Sequence, residues 1–546
     1  ASVRSNPCAL FLLPYPCSLL PMRSRLFASL ILFSLSACAR SAARPEPRPS
    51  AASESSGRKH SPAAVETITA EDMYRRIGVL AHDSLRGRDT PSPGLEAAAA
   101  YIARELEAFG LEPAGDSGTY FQRFPFPITA FSEGDLRFEV HSAGGHQSLR
   151  HGTDYLVERG TPAAVTAGFV FVGSAADSAW SLPGRLRDRV AVVYMSGKYD
   201  QAWRLNAGRA RRAAQAAGAV AVVFALDSAF NADDVRALAG RVSAPGGSLG
   251  GLSEIASYHL PWPAAAALFR AAALDPDTLR ARAVQGSMEP VPLPGVTVRL
   301  NAPVRTVQDA RPPNVVALLP GSDPKLRDSY VVFSAHMDHV GVGAPDATGD
   351  SIYNGADDDA SGTSALLELA QAYATLPRRP ARSLIFLAVS GEEKGLLGSR
   401  YFTDNPTILL DRIVANINVD MIGRNAPDSI VVIGQEFSSL GPLVQAVAAR
   451  HSELGLTVAP DLWPQERFFF RSDHFNFAAK EIPSLFFFAG VHEDYHRPSD
   501  EVETVDVDKA ARVVRLIFHT GYAIATQAEP PRWTEEGLAE VRALTR

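Results

Sequence analysis

Apolar residues follow two different rhythms along this chain. Between residues 70 and 110 they fall at helical spacing: Met73, Ile77, Val79 and Leu80, then Ala99, Tyr101, Ile102, Leu106 and Phe109. That spacing predicts helices with one face on a core, and Gly110 is placed to end the second of them. Short strands joined by turns are expected over 120–160. The apolar runs 169–173, 190–194 and 219–224 predict buried strands, 209–217 a helix, and the Gly- and Ser-rich stretch 244–251 a loop. The middle region, about 150–300, contains no cluster of His, Cys, Asp and Glu, which makes it a supporting module.

From about residue 310 the rhythm changes. The runs 330–333, 383–389, 413–419, 430–433 and 484–489 are almost continuously apolar and alternate with helical segments. The clearest of these helices is 360–374, with Ala365, Leu366, Leu369, Ala370 and Tyr373 on one face. Strands apolar on both faces and separated by helices predict an α/β fold with a mostly parallel central sheet covered on both sides. Ligands of such sheets bind beyond the carboxyl ends of the strands.

Composition narrows the class without changing this picture. The chain has 546 residues, 46% of them hydrophobic and 21% charged, with a formal net charge of −7. It is long enough for several domains and is neither disordered nor fibrous overall. The mildly acidic balance argues against a surface that coats nucleic acid, which needs a basic face. Three cysteines cannot build a disulfide framework in a chain of this length.

The N-terminal segment carries its own signal. Residues 26–37 form an apolar run behind Arg23 and Arg25, too short to span a bilayer but suited to a signal-peptide core. It ends in Leu35-Ser36-Ala37-Cys38, which resembles the bacterial lipobox and implies a lipid on Cys38. Met22 is read as the start of translation, with 1–21 an upstream extension. Residues 39–65, rich in Ala, Ser, Pro and Arg, read as a flexible tether. The expected location is the periplasm-facing surface of a bacterial membrane, or outside the cell.

The chemistry lies at the predicted strand ends. Their sequences supply His336 and Asp338, then Asp357, Asp358 and Asp359, then Glu392 and Glu393, then Asp420, then His492 and His496. Carboxylates gathered on one edge repel, and a divalent metal relieves that repulsion. Mixed His, Asp and Glu donors without thiolate suit zinc in a catalytic site, and their number favours two metals. Residues 492–496 also spell H-E-x-x-H, a zinc motif that works only on a helix. Gly490 precedes it and Pro498 follows it, so a loop is predicted there.

Several motifs together resemble those of the co-catalytic di-zinc aminopeptidases. They are Ser334-Ala-His336-Met-Asp338, the stretch 354–362 around Asp357, the stretch 390–399 with Glu392 and Glu393, Asn418-Val-Asp420-Met, and Tyr495-His496-Arg-Pro-Ser-Asp500. That family includes bacterial leucyl aminopeptidases and, more distantly, glutamate carboxypeptidase II and transferrin receptor. The resemblance runs over roughly 310–510, and the middle region resembles the protease-associated domain found inserted in this fold. It implies a zinc-exopeptidase (phosphorylase/hydrolase-like) α/β fold with a smaller β-rich insert. The implied layout is a signal segment to 37, a tether over 38–65, peptidase parts at 66–149 and 301–530, an insert at 150–300 and a tail at 531–546.

The resemblance further implies two zinc ions and peptide substrates, with Asp357 bridging the metals. His336 and Asp420 would complete one position, and Glu393 and His496 the other. Glu392 would be the general base, and Asp338 would hold His336. Relatives that place a tyrosine near Ser472 have no counterpart in 467–471, where Arg471 is the substitute donor; Tyr495 is a second candidate substrate contact. The implied activity is aminopeptidase. The alternatives are a carboxypeptidase or dipeptidase on the same scaffold and a non-enzymatic binding protein, the last disfavoured by retention of every candidate ligand.

Overall fold

The computed structural model describes residues 62–545 except 161–162, 176–183, 200, 231–233, 236–237, 239–245, 248–254 and 287. Cys38, the signal segment, nearly all of the tether and most of the 244–251 loop lie outside the described residues.

A nine-stranded sheet is the frame on which the site is built. Its strands, in chain order, are β1 (Glu112–Pro113), β2 (Phe121–Arg123), β3 (Pro313–Leu319), β4 (Tyr330–His336), β5 (Ser383–Val389), β6 (Ile413–Val419), β7 (Ser429–Ile433), β8 (Thr457–Ala459) and β9 (Ser484–Phe488). Across the sheet they run β1-β3-β5-β4-β6-β9-β7-β8, with β2 also paired to β3. The central four, β5, β4, β6 and β9, are parallel. On the two flanks β3 and β7 are antiparallel to their inner neighbours. Every residue of β5 is buried, as the unbroken apolar runs require of strands covered on both faces.

Alternate residues of these strands enter two cores. Phe333, Ala335, Phe386 and Ala388 pack under the helices Ala70–Leu80, Pro93–Ala108, Gly362–Ala374 and Val507–Thr526. Val332, Ile385, Leu387 and Val389 face the other way, onto Phe402 and Phe477. A buried ion pair ties two of the helices together: Arg76 Nε lies 2.6 Å from Glu368 Oε1, both fully buried, and Arg76 also meets Glu105 and Gln371. The Gly362–Ala374 helix begins two residues later than the periodicity predicts. Residues 356–361 form a wide, irregular turn instead, because their carboxylates are engaged elsewhere.

Register brings the chemistry to one edge. Ala335 pairs with Ala388, His336 with Val389, and Ser334 with Asn418, so β4, β5 and β6 end level with one another. Phe487 of β9 pairs with Val419 of β6. The loops after these four strands therefore converge.

A second, eight-stranded sheet takes its strands from Arg137–Ser142 through Val291–Asn301, beginning before residue 150. Its middle strands, Val165–Ser174, Arg189–Met195, Ala221–Leu226 and Ala256–Pro261, are parallel; the first three fall on the predicted apolar runs, and the fourth was not predicted. The predicted helix there spans Gln201–Ala216. The chain enters and leaves this part along one antiparallel ribbon, Phe126–Phe131 with Val304–Ala310. Among the described residues no helix is long and apolar enough to cross a membrane.

Candidate metal centre

His336 is the last residue of β4, and its ring is fixed from below. Its Nδ1 lies 3.1 Å from the Asp338 carbonyl oxygen, which can only accept, so Nδ1 carries a proton and Nε2 is the nitrogen turned to the neighbouring carboxylates. Nε2 lies 3.2 Å from Asp358 Oδ1 and 3.5 Å from Asp420 Oδ1. The sequence assigned this orienting task to Asp338, and the structure refines the means. The Asp338 carboxylate is 3.8 Å from the ring; it accepts instead from Thr90 Oγ1 at 3.0 Å and from the Glu392 backbone N–H at 3.3 Å. Asp338 thus holds His336 through its carbonyl and the Glu392 loop through its side chain. Burial pushes the Asp338 carboxyl up to about 6.

The run Asp357-Asp358-Asp359 places three carboxylates in three different environments. Asp357, expected to bridge the metals, is turned away. Its Oδ1 accepts from the Gly423 N–H at 2.7 Å, and its Oδ2 faces His492 Nε2 at 3.5 Å. Asp359 accepts from the backbone N–H groups of His336, Gly362 and Met421. Only Asp358 turns both oxygens to histidines: Oδ1 to His336, and Oδ2 to His496 Nε2 at 3.1 Å. The place between the two histidines, expected for Asp357, is therefore taken by Asp358. Consecutive identical side chains give no sequence signal of which one faces inward; the backbone path decides it. Asp500 fixes that path by accepting from the N–H groups of Asp357 and Asp358.

On the far side of Asp358, Glu393 Oε1 lies 3.1 Å from His496 Nε2 and 3.0 Å from His339 Nδ1. His339, Asp358, Glu393 and His496 form one group of converging donors. His339 was not singled out from sequence, although the spacing His336-Met-Asp338-His339 carries it. The H-E-x-x-H stretch lies in turns, as predicted, so its two histidines diverge, His492 toward Asp357 and His496 toward Glu393.

Asp420, following β6, is aimed by a polar relay. Asn418 Nδ2 donates to Ser472 Oγ at 2.8 Å, and Ser472 Oγ donates to Asp420 Oδ2 at 2.7 Å, leaving Oδ1 facing His336. Asn418 is itself steadied by Ser334, whose hydroxyl donates to it at 2.6 Å.

These residues fit a metal on the structure's own terms. Asp358 Oδ2, Glu393 Oε1, Asp420 Oδ1, His339 Nδ1 and His496 Nε2 are buried atoms without a hydrogen-bond partner, yet they lie close together. Buried polar atoms are normally satisfied, so such a convergence calls for a cation. Burial opposes charge on His336, but the surrounding Asp420, Glu392 and Asp358 raise its pKa well above the ordinary histidine value. Burial likewise raises Glu392 well above the usual carboxylate range, with His336 pulling the other way.

Beside the donors lies a cavity floored by His336, Asp358, Glu392 and Asp420 and walled by Phe468, Phe486, Phe488, Val491 and Tyr495. Both sequence-predicted substrate contacts are at this cavity. The Tyr495 ring stacks on His496 with centroids 3.9 Å apart. Arg471 lies over Phe468 at 4.4 Å and 3.5 Å from Glu466, so its charge is already partly matched.

Residues 314–521 match the model of Peptidase family M28. Among curated proteins, a probable zinc metalloprotease of Pyricularia oryzae is 28% identical over 281 residues, covering 44% of this chain and 53% of that protein. Leupeptin-inactivating enzyme 1 of Streptomyces exfoliatus is 34% identical over 119 residues, 22% of this chain and 24% of that one. The chain spans about half the length of the first of these relatives. Among solved structures, the aminopeptidase from Aneurinibacillus sp. strain AM-1 aligns with a TM-score of 0.52 at 22% identity, over 86% of this chain and 96% of that one. The fold is shared with that aminopeptidase.

Proposed function

We propose that this protein is a zinc-dependent exopeptidase, an aminopeptidase that removes N-terminal residues from peptides at a two-metal centre. The observation that carries the reading is the Asp358 carboxylate. One of its oxygens faces His336 and the other His496, beside Glu392 at the floor of a cavity. A carboxylate shared between two donor groups suits paired metals. His336, Asp358 and Asp420 would hold one zinc; Asp358, Glu393 and His496 would hold the other. When bound, zinc supplies Lewis acidity toward water and toward a scissile carbonyl.

The chain's own residues do the rest. Glu392 borders the cavity without belonging to either donor group, which places its carboxylate to accept and return a proton. It takes the proton from the attacking water and delivers it to the leaving amine. Thr90 and Asp338 hold its loop, Thr90 Oγ1 accepting from the Gly391 N–H and Asp338 from the Glu392 N–H. The aromatic wall receives an apolar side chain and excludes water from the reacting bond. Pairing of Arg471 with Glu466 disfavours the carboxypeptidase alternative, which needs a free cation for the substrate carboxylate.

The test is a panel of aminoacyl and N-blocked chromogenic substrates with zinc analysis of the same sample. Hydrolysis of free-amine substrates alone, lost on chelation, supports the reading. Cleavage of N-blocked substrates only, or no hydrolysis by zinc-loaded protein, refutes it. We further propose export and lipid attachment at Cys38, which mass spectrometry of the mature N-terminus would detect.

A further inference from the structure

We propose that His339 is a fourth protein ligand at the position formed by Asp358, Glu393 and His496. The two metal positions are then unequal: one is closed by four protein donors, and the other, with His336, Asp358 and Asp420, stays open to the cavity. This rests on the two-metal reading above and adds an asymmetry to it.

Three observations carry it. First, His339 is completely buried, and neither ring nitrogen has a hydrogen-bond partner. Its Nδ1 is 3.0 Å from Glu393 Oε1 and 3.7 Å from Asp358 Oδ2, while His496 Nε2 is 3.1 Å from each of the same two oxygens. These separations are within or near hydrogen-bonding range, yet the directions do not make hydrogen bonds; the four atoms aim at common space. Zinc at about 2.0–2.1 Å from N and O donors places tetrahedral neighbours about 3.3 Å apart, which the four separations bracket.

Second, the ring is held from behind. Its backbone N–H donates to the Arg88 carbonyl, and Gly355, at φ +59°, presses its backbone on the imidazole. A Cβ at residue 355 would stand 2.5 Å from His339 Cγ, so only glycine leaves the imidazole this place against the loop.

Third, the cavity lies mainly against one position. His336, Asp358, Glu392 and Asp420 line it, whereas His339, Glu393 and His496 do not. Closed coordination by protein is the mark of a metal that is held, and an open coordination place the mark of one that works. His339 thereby assigns the holding role to the Glu393 position and leaves the working role beside Glu392.

The experiment loads metal-free full-length protein with Co2+ and follows its visible spectrum, its release to a competing chelator, and its paramagnetically shifted imidazole N–H signals in proton NMR. Wild type is expected to bind two equivalents in separable steps and to show three exchangeable shifted N–H signals, from His336, His339 and His496. His339→Ala should weaken the tighter step by about 100-fold or more, leave the weaker step within about threefold, and lose one signal. Should His339→Ala fail to fold, His339→Cys keeps a donor there, and a new sulfur-to-cobalt charge-transfer band would mark ligation at residue 339. Two shifted signals in wild type, or an unchanged tighter step in His339→Ala, overturns the proposal. An absent band in folded His339→Cys does so too. Equal steps in an active peptidase sink only this inference; unequal steps in a protein that cleaves no peptide sink only the peptidase reading.

Discussion

Ser472 Oγ donates to Asp420 Oδ2 at 2.7 Å, so only the other carboxylate oxygen remains to face His336. The hydroxyl cannot serve both ends as donor; it accepts from Asn418 and therefore gives its own proton to Asp420. One serine thus decides which oxygen of Asp420 is offered at the centre. Ser472→Ala should leave the fold intact and weaken zinc at the His336 position by about 10- to 100-fold, as loss of a ligand's orienting partner generally does. Chelator competition on the variant and wild type measures it.

Glu392 and Glu493 are both glutamates beside site residues, but only Glu392 borders the cavity. Glu392→Gln should lower kcat by about 10²- to 10⁴-fold with zinc content unchanged, the usual span for loss of a general base. Glu493→Gln should remain within a few-fold of wild type. The reverse result would assign the chemistry to the H-E-x-x-H stretch instead.

Arg88 is buried and gives its guanidinium to four carbonyls, those of Met337, Leu80, Asn354 and Gly355, at 2.5–3.0 Å. It fastens the loop after β4 to the loop that carries Asp358. Burial lowers its pKa to about 10, still charged at neutral pH. Arg88→Met leaves those oxygens without donors and should destabilise the protein by about 3 kcal/mol or more, at about 1–3 kcal/mol for each unsatisfied group with partial relief by relaxation. Denaturant unfolding, with zinc content measured alongside, checks it.

Glu368 pairs with Arg76 in the interior beneath the Gly362–Ala374 helix. Glu368→Leu removes the fully buried partner of Arg76, leaving Glu105 as its remaining carboxylate, and should cost about 2–3 kcal/mol. The double variant with Arg76→Met should recover much of that loss, because an apolar pair in the same space has no charge to desolvate. A double-mutant cycle by chemical unfolding reports the coupling.

His474 is fully buried against Phe486, and burial lowers its pKa to about 3. The unfolded chain, with histidine near its ordinary 6.5, binds a proton that the folded chain refuses. Stability is therefore complete above pH 6.5 and falls as pH drops from there toward 3, by up to about 1.4 kcal/mol per pH unit from this residue. His474→Phe should flatten that part of the stability–pH curve, measured by urea unfolding of metal-free protein from pH 7 to 4.

The sequence determined the architecture and the region of the site, and the reason is local. Continuous apolar runs such as 383–389 read as strands with both faces covered, so the central strands and the edge bearing the polar residues were legible, whereas the flanking strand Pro313–Leu319 and the Val507–Thr526 helix were not. Glycine and proline around 492–496 told loop from helix for the same reason. The choice among Asp357, Asp358 and Asp359 was not legible. It depends on Asp500 and Gly423, remote in sequence, engaging the first carboxyl-bearing residue, and on three backbone N–H groups capturing the third. His339 and Ser472 were hidden likewise, since a side chain's direction is set by what packs behind it: Gly355 against one, Asn418 beside the other. Residue type and spacing fixed which strand ends carry donors. Only the tertiary structure decided which donor atoms meet, because that depends on hydrogen bonds closed between loops far apart in the chain.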